Sequence, residues 1–468
     1  MTVPDWVPDS VFYQIFPDRF ANGDTSNDPP NVRPWGEKPT KWGFQGGDLQ
    51  GVIQHFDYLL DLGVNAIYFN PIFLSTSNHR YNTVDYFLID PKLGDMQTFH
   101  SLLDIAHQNG IRIVLDGVFN HSGRGFFAFN DILENQQHSP YLDWFHVRDM
   151  PLNAYELEKD FNYLAWWNIR SLPKFNTDNP SVREYLLSVA RYWIEQGIDG
   201  WRLDVPNEID DDTFWAEFRA IVKEINPQAY LLGEIWEVNP RWIGASHFDG
   251  LMNYPMRDAV LDFLAKGLTT PSVFDQQIRA LLDAYPEEHT FSHYLPLGTH
   301  DTKRLRTQCG EDGRRVRQTF LFQFTYPGAP AIYYGDEIGL AGGKDPACRG
   351  AFPMNKASWD QDLRAYVKKL VHLRGEFTAL RRGVFKTLKI DDGAGIYAFY
   401  RVLDSNVVAV VLNASDQEQF VVLPIADLGW EDGWTINEAI GEQDVIVSQS
   451  EVRLKLTSRA GALLHPSN

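Results

Sequence analysis

From about residue 12 to residue 380, short apolar runs rich in Val, Ile, Tyr and Phe alternate with longer amphipathic stretches. The runs that predict strands are Val11–Phe16, Ala66–Asn70, Arg112–Val118, Gly200–Asp204, Tyr230–Ile235, Gly250–Asn253, Phe291–Leu297 and Ala331–Tyr334. Helical spacing marks Leu49–Leu62, Met96–Gln108, Ser181–Gln196, Asp211–Ile225, Val273–Ala284, Gly313–Phe324 and Asp360–Leu380. Eight strands alternating with helices predict a (β/α)8 TIM barrel; an open doubly wound sheet is the alternative that fits the count less well. The alternation fails between Ser122 and Thr177, an otherwise polar segment carrying Trp144, Trp166 and Trp167. An excursion there leaves the C-terminal end of the third strand, the face on which barrel active sites lie. From about Arg382 strand runs succeed one another without helices, at Ile396–Tyr400, Val407–Leu412, Phe420–Leu423 and Val452–Leu456. They predict an antiparallel β domain. The expected layout is a barrel over 1–121 and 178–381, an inserted domain over 122–177, and a C-terminal β-sandwich over 382–468.

Charge and composition narrow the partners. The 468-residue chain carries a formal charge of −20, which repels phosphate backbones and anionic lipid. Nucleic acid and membranes are therefore excluded, and a neutral substrate is not penalised. The uncharged stretch Gln318–Gly335 is broken by Pro327, Gly328 and Pro330 and is too short to span a bilayer. Met1-Thr2-Val3-Pro4-Asp5 has neither the basic start nor the apolar run of a secretory signal. Cys309 and Cys348 are too few to staple such a chain and lack zinc spacing, so unpaired thiols and a cytoplasmic location are expected, unless a leader has been removed. Aromatic residues reach 14%, and flat apolar faces with a polar edge suit sugars.

The chemically telling residues sit where predicted strands end. Asp116–His121 closes the third run, Gly200–Asp204 the fourth, Glu234 follows on the fifth, and His300-Asp301 follows the seventh. In a barrel these side chains converge on one cavity at the C-terminal face. Any one alone reads as a strand-end cap or a structural ion pair. Together they support glycoside hydrolysis, which needs one carboxylic acid to protonate the departing oxygen and one carboxylate to meet the charge at the anomeric carbon. On adjacent strands two such groups can approach to about 5 to 5.5 Å, the spacing for a covalent intermediate and retention of configuration. Arg202, two residues before Asp204, shares its strand face and can hold it ionised. Glu234 must stay protonated, which needs an apolar surround or a neighbouring negative charge.

These segments resemble the four signature blocks of the α-amylase superfamily: Asp116–His121, Gly200–Asp204, Glu234-Ile235-Trp236 and Thr299-His300-Asp301-Thr302. The resemblance implies Asp204 as nucleophile, Glu234 as general acid/base, and Asp301 as a third acid that binds and distorts the sugar. It implies that His121 and His300 bind the same sugar and that Arg202 orients Asp204, with Asp116 and Asn120 beneath the site. Leu172–Asn176 and Val205–Glu208 resemble cyclomaltodextrinases, neopullulanases and maltogenic amylases, a group with a small residue where Pro206 stands. Ser77–Tyr81 resembles the loop whose Tyr stacks under the cleaved sugar, which makes Tyr81 the platform and places His79 beside it. Asn207 and Trp236 are implied as further substrate contacts, and Glu237 stands where the group often has His.

The resemblance implies a retaining α-glucan hydrolase acting on neutral maltooligosaccharides, cyclodextrins or pullulan, mainly at α-1,4 bonds, with α-1,6 bonds left open as a further target. A debranching or transglycosylating specialist, or a silent amylase-like binding subunit, are the alternatives. The predicted barrel begins within about ten residues of Met1, so the group's usual N-terminal β domain is not expected. A monomer, or a homodimer built without that domain, is expected. Asn22–Asp28 and Gly46-Gly47-Asp48 are crowded with oxygen-bearing groups, which read alone as turns. The resemblance implies instead a structural Ca2+ held by Asn22, Asp24, Asn27, Asp28, the Gly46 carbonyl and Asp48. No catalytic metal and no organic cofactor are expected.

Overall fold

The computed structural model of the protein describes residues 3–156, 158–441 and 443–467. Seven of the eight predicted runs contain a strand and the eighth overlaps one that begins two residues earlier: β1 Phe12–Ile15, β2 Ala66–Phe69, β3 Arg112–Gly117, β4 Gly200–Leu203, β5 Tyr230–Gly233, β6 Gly250–Leu251, β7 Tyr294–Pro296 and β8 Ala329–Tyr333. They form one parallel sheet in the order β6-β5-β4-β3-β2-β1-β8-β7. Tyr13 on β1 lies opposite both Ile67 and Ile332, so β1 joins β2 and β8 in register. The remaining gap closes where Met252 bridges Tyr294 and the Asn253 N–H donates to the Tyr294 carbonyl at 2.8 Å. The sheet is a barrel.

Strand alternation sorts the side chains. Ile67, Phe69, Ile113, Leu115, Trp201 and Leu203 face the helices, while Phe12, Ala66, Tyr68, Val114, Tyr230 and Leu232 fill the interior. The helix layer starts on side-chain caps, with Asp48, Asp95, Asn179, Asp211, Asp312 and Asp360 each accepting a first-turn N–H. Two expected helices are each divided. Leu49–Gln54 and Phe56–Leu62 part at His55, whose ring Nδ1 bonds the Gly51 carbonyl and competes with the backbone. Gln361–Glu376 and Thr378–Arg382 part at Phe377, whose backbone is extended. The helix Tyr254–Val260, prolonged through Ala265, lacks a readable stripe because it is buried nearly all round. A hairpin of Phe73–Ser75 and Thr83–Ile89 follows β2 and was also unmarked by alternation.

Beyond the barrel, Val384–Asp391, Ile396–Leu403, Asn406–Asn413, Gly461–Pro466, Thr435–Glu438 and Gln443–Ile446 form an antiparallel sheet. Gln419–Pro424 and Glu451–Leu456 pair as a second. Ile396, Ala398 and Tyr400 point into a core shared with Val421, Leu423, Val452 and Leu454, so the two sheets pack face to face. Tyr397 and Phe399, one residue out of phase, join the barrel's own core. Among the described residues no helix is long and apolar enough to cross a membrane.

A buried arginine of the C-terminal sheet, Arg401, is tied to the barrel through backbone carbonyls, and a second, Arg374, binds barrel carbonyls beside it. Arg401 donates to Thr325 at 2.6 Å, Leu380 at 2.9 Å and Gly383 at 2.8 Å. Arg374 donates to Phe324 at 3.1 Å, Leu380 at 2.9 Å and Pro8 at 3.0 Å. Phe324 and Thr325 end a helix, so its negative pole faces both guanidinium groups. Burial nonetheless pulls both arginines below their ordinary range, Arg374 to about 9. Arg401→Met removes the arginine donors from the Thr325 and Gly383 carbonyls, while Leu380 keeps Arg374, and is expected to cost roughly 3 kcal/mol in a urea titration. An unchanged midpoint would contradict this account of the junction.

Candidate active site

The inward row of each strand continues past the apolar filling into polar residues. Phe12 is followed by Gln14, Ala66 and Tyr68 by Asn70, Val114 by Asp116, Gly200 by Arg202 and Asp204, and Leu232 by Glu234. A Cβ at Gly200 would lie 2.3 Å from the Tyr230 carbonyl. Only glycine lets β4 come this close to β5, and this closeness sets Arg202 beside Glu234.

Arg202 is fully buried and meets three acids. Its Nη1 donates to Asp116 Oδ1 at 2.8 Å and to Asp204 Oδ1 at 3.0 Å. Its Nη2 lies 2.6 Å from Glu234 Oε1 but off the N–H axis, so that contact is ionic rather than a hydrogen bond. Burial opposes the charge, yet Asp116 and Glu234 outweigh it and hold the guanidinium protonated. Asp204 and Glu234 thus flank one guanidinium. Burial, then the charge of Glu234, pushes the Asp204 carboxyl up against the pull of Arg202. Burial also raises Glu234; Arg202 opposes this and Asp301 adds to it. Two carboxyls this close around one guanidinium do not titrate independently, since the charge of one raises the other.

Asp116 lies beneath them as an anchor. Its Oδ2 accepts from Tyr68 Oη at 2.5 Å and from Tyr81 Oη at 2.7 Å. Tyr81 Oη also lies 3.0 Å from Asn70 Nδ2 and 2.7 Å from His300 Nε2. Gln14 Nε2 donates to His300 Nδ1 at 3.0 Å, which leaves the ring proton on Nε2, facing Asp301 Oδ2 at 3.0 Å. Asp301 is open to the cleft, with 36% of its side chain exposed. Burial would raise its carboxyl, but His300 and then Arg349 hold it well below the usual carboxylate range. Asp301 is the acid that stays ionised.

Rings complete the walls. Tyr81 stacks on His300 with centroids 5.3 Å apart at 10°. His79 also stacks on Tyr81, with centroids 6.0 Å apart, and accepts the Tyr81 N–H at 3.2 Å. His121 stacks on Trp166, which stacks on Trp167. Burial lowers His79 and His121 to about 3, so both rings are neutral. Trp236 lies flat on Tyr254 at 3.7 Å and remains 48% exposed, which favours a contact surface over a core role. Asn207 is exposed on the turn Pro206–Glu208, just beyond Asp204.

Several residues escaped the sequence reading. Arg349 donates to Asp301 Oδ1 at 3.1 Å and to the His300 carbonyl at 2.9 Å, from a loop after β8 that carries no motif. Gln14, Tyr68 and Asn70 were legible as inward positions of β1 and β2. Tyr254 is buried beside Glu234 and Asp301. Cys309 and Cys348 are free and buried.

The oxygen-rich loops after β1 also come together. Asn22 Nδ2 donates to Asp28 Oδ1 at 2.9 Å, and a Cβ at Gly46, where φ is 84°, would lie 2.2 Å from that oxygen. The Oδ1 atoms of Asn22 and Asn27 are buried without a donor. Asp24 turns one oxygen to Ser26 and is exposed. Asp48 caps the helix after it, and its two oxygens accept four N–H groups, from Gly23, Asp24, Gly51 and the Asn27 amide. Those bonds occupy its lone pairs. Among the described residues no three His, Cys, Asp or Glu side chains gather as a metal-binding group.

Residues 14–377 match the α-amylase catalytic-domain family. A cyclomaltodextrinase of Bacillus sp is 48% identical over 412 residues, covering 88% of this chain and 73% of that protein. Neopullulanase 2 of Thermoactinomyces vulgaris is 43% identical over 465 residues, covering 99% and 78%. The structure of the cyclic α-maltosyl-(1→6)-maltose hydrolase of Arthrobacter globiformis, in complex with cyclic α-maltosyl-(1→6)-maltose, superposes with a TM-score of 0.91 at 40% identity. That match covers 99% of this chain and 100% of the other. A family match that runs from β1 through the last barrel helices, with such relatives over most of the chain, makes this protein a member of the α-amylase family.

Proposed function

We propose that the protein is a retaining α-glucan hydrolase that opens α-1,4 bonds of maltooligosaccharides, cyclodextrins or pullulan by double displacement. The observation that carries this reading is the single buried guanidinium between Asp204 and Glu234. The aligned bond from Arg202 fixes one oxygen of Asp204 and leaves the other to attack the anomeric carbon. Glu234 protonates the departing oxygen, then takes a proton from the water that releases the sugar. Asp301, ionised and open to the cleft, accepts bonds from sugar hydroxyls, and Tyr81 offers its ring as the floor. The pair must hold one proton, so activity falls when both acids are protonated and again when both are ionised.

The same glycosyl-enzyme intermediate can transfer to a sugar hydroxyl, and the exposed face of Trp236, covering Tyr254, fits an acceptor ring. A second reading, cleavage of α-1,6 bonds in cyclic glucans, is favoured by the Arthrobacter globiformis hydrolase, which this chain covers end to end. The two free, buried thiols fit a reducing, cytoplasmic setting.

We also propose a structural Ca2+ between the Oδ1 atoms of Asn22 and Asn27, the Asp28 carboxylate and the Gly46 carbonyl. The two buried amide oxygens without donors support it. The ion would supply charge to the loops after β1 and take no part in bond cleavage.

Reducing-sugar release should appear with β-cyclodextrin, soluble starch or pullulan, with cyclic α-maltosyl-(1→6)-maltose as the arm for the second reading. Asp204→Asn and Glu234→Gln should each lose about a thousandfold or more in kcat while remaining folded. Parental activity in Asp204→Asn would reject the nucleophile assignment. For the metal, added Ca2+ should raise Tm by a few degrees over an EDTA-treated sample, and Asp28→Asn should abolish that rise. Equal Tm with Ca2+ and EDTA would reject the ion.

A further inference from the structure

Val205 follows the nucleophile with φ 36° and ψ 52°, in the left-handed region. Left-handed geometry is rare for any β-branched residue. Pro206 makes it rarer, because a residue before proline is driven toward extended backbone. Val205 therefore carries two separate penalties at one position, and its neighbours impose them. The Asp204 N–H donates to Gly117 at 3.0 Å, and the Val205 carbonyl accepts from Glu208 at 3.0 Å. Lys174, from the inserted segment, donates to the Glu208 carbonyl at 2.6 Å and pins the turn from above. The product of this geometry is one contact: the Val205 N–H points at Glu234 Oε2 at 3.0 Å.

We infer that the strained Val205-Pro206 peptide is a clamp that positions the acid/base, holding Glu234 by its Oε2 so that Asp204 and Glu234 move as one unit. Val205 is a positioning residue: it touches Glu234 through its backbone and acts only through it. The inference rests on the reading of Glu234 as acid/base. Strain of this kind persists only where the surroundings over-determine it, and it gathers at sites where geometry must not drift. The other groups facing Glu234 are Arg202 and Asp204 from β4, His300 and Asp301 after β7, and Tyr254 after β6. Of these only Arg202 comes to ion-pair distance, and off axis. The Val205 N–H is thus the aligned donor that fixes the carboxyl plane. It also favours the ionised form of Glu234.

Val205→Gly frees the backbone to leave the left-handed region, and Pro206→Ala removes the proline penalty while keeping every donor. With maltotriose as substrate, Val205→Gly should fold with Tm near the parent and lose roughly ten- to a hundredfold in kcat with KM little changed. The basic limb of its kcat/KM profile should move up by about half a pH unit, since the Glu234 anion loses a donor. Pro206→Ala should show a smaller change in the same direction. Folded variants with the parental kcat and basic limb, or with a change in KM alone, would overturn the clamp. If Val205→Gly fails to fold, Pro206→Ala decides, and failure of both to fold overturns the positioning role in favour of a purely structural one. Asp204→Asn, run alongside, separates the two levels: if it is active the acid assignments fail, whereas an inactive Asp204→Asn with an unmoved Val205→Gly rejects the clamp alone.

Discussion

A guanidinium sealed inside a barrel must find acceptors or countercharge within it, and Arg202 is met by three carboxylates. Removing one partner from such a buried set costs about 3 to 5 kcal/mol, because the remaining charge is stranded in a poor solvent. That penalty makes the arrangement all-or-none. Asp116 anchors the arginine from below, Asp204 takes its aligned bond, and Glu234 takes its charge. The rest of the barrel supplies what this needs: a glycine at position 200 that allows the approach, and a layer of Tyr68, Tyr230 and Leu232 that keeps water from beneath.

The electrostatics divide the three cleft acids without a metal ion in the argument. Asp301 is held ionised by His300 and Arg349, although burial works the other way. Asp204 and Glu234 are both pushed up by burial, and the charge of Glu234 raises Asp204 further. One acid permanently charged, and two interacting around an arginine, is a division of labour that acetal cleavage can use. The neutral His79 and His121 add hydrogen-bonding capacity without adding charge.

How far this was legible in the sequence depends on the range of the interaction. The eight strand runs were readable because buried parallel strands are continuous apolar stretches, and their chemistry because period two carries inward residues into the cavity. Arg202 and Asp204 were separated by two residues, so their shared face followed directly. The helix beginning at Tyr254 was not readable, because burial on all sides erases periodicity. Arg349 was not readable because its contact with Asp301 spans a loop whose path local pattern does not determine. The strain at Val205 was not readable, because before Pro206 local rules place an extended residue. Asp48 shows the reverse: expected among the metal ligands, it spends its lone pairs on four N–H groups.

The central claim is that Asp204, held by Arg202, forms the covalent bond to the sugar. A 2-deoxy-2-fluoro-α-glucosyl fluoride slows the second displacement, so digestion and mass spectrometry of the inactivated protein read the attachment site directly. The account predicts one sugar on the peptide that contains Asp204. A label on Glu234 or Asp301, or turnover to the β-anomer with no label at all, would contradict it.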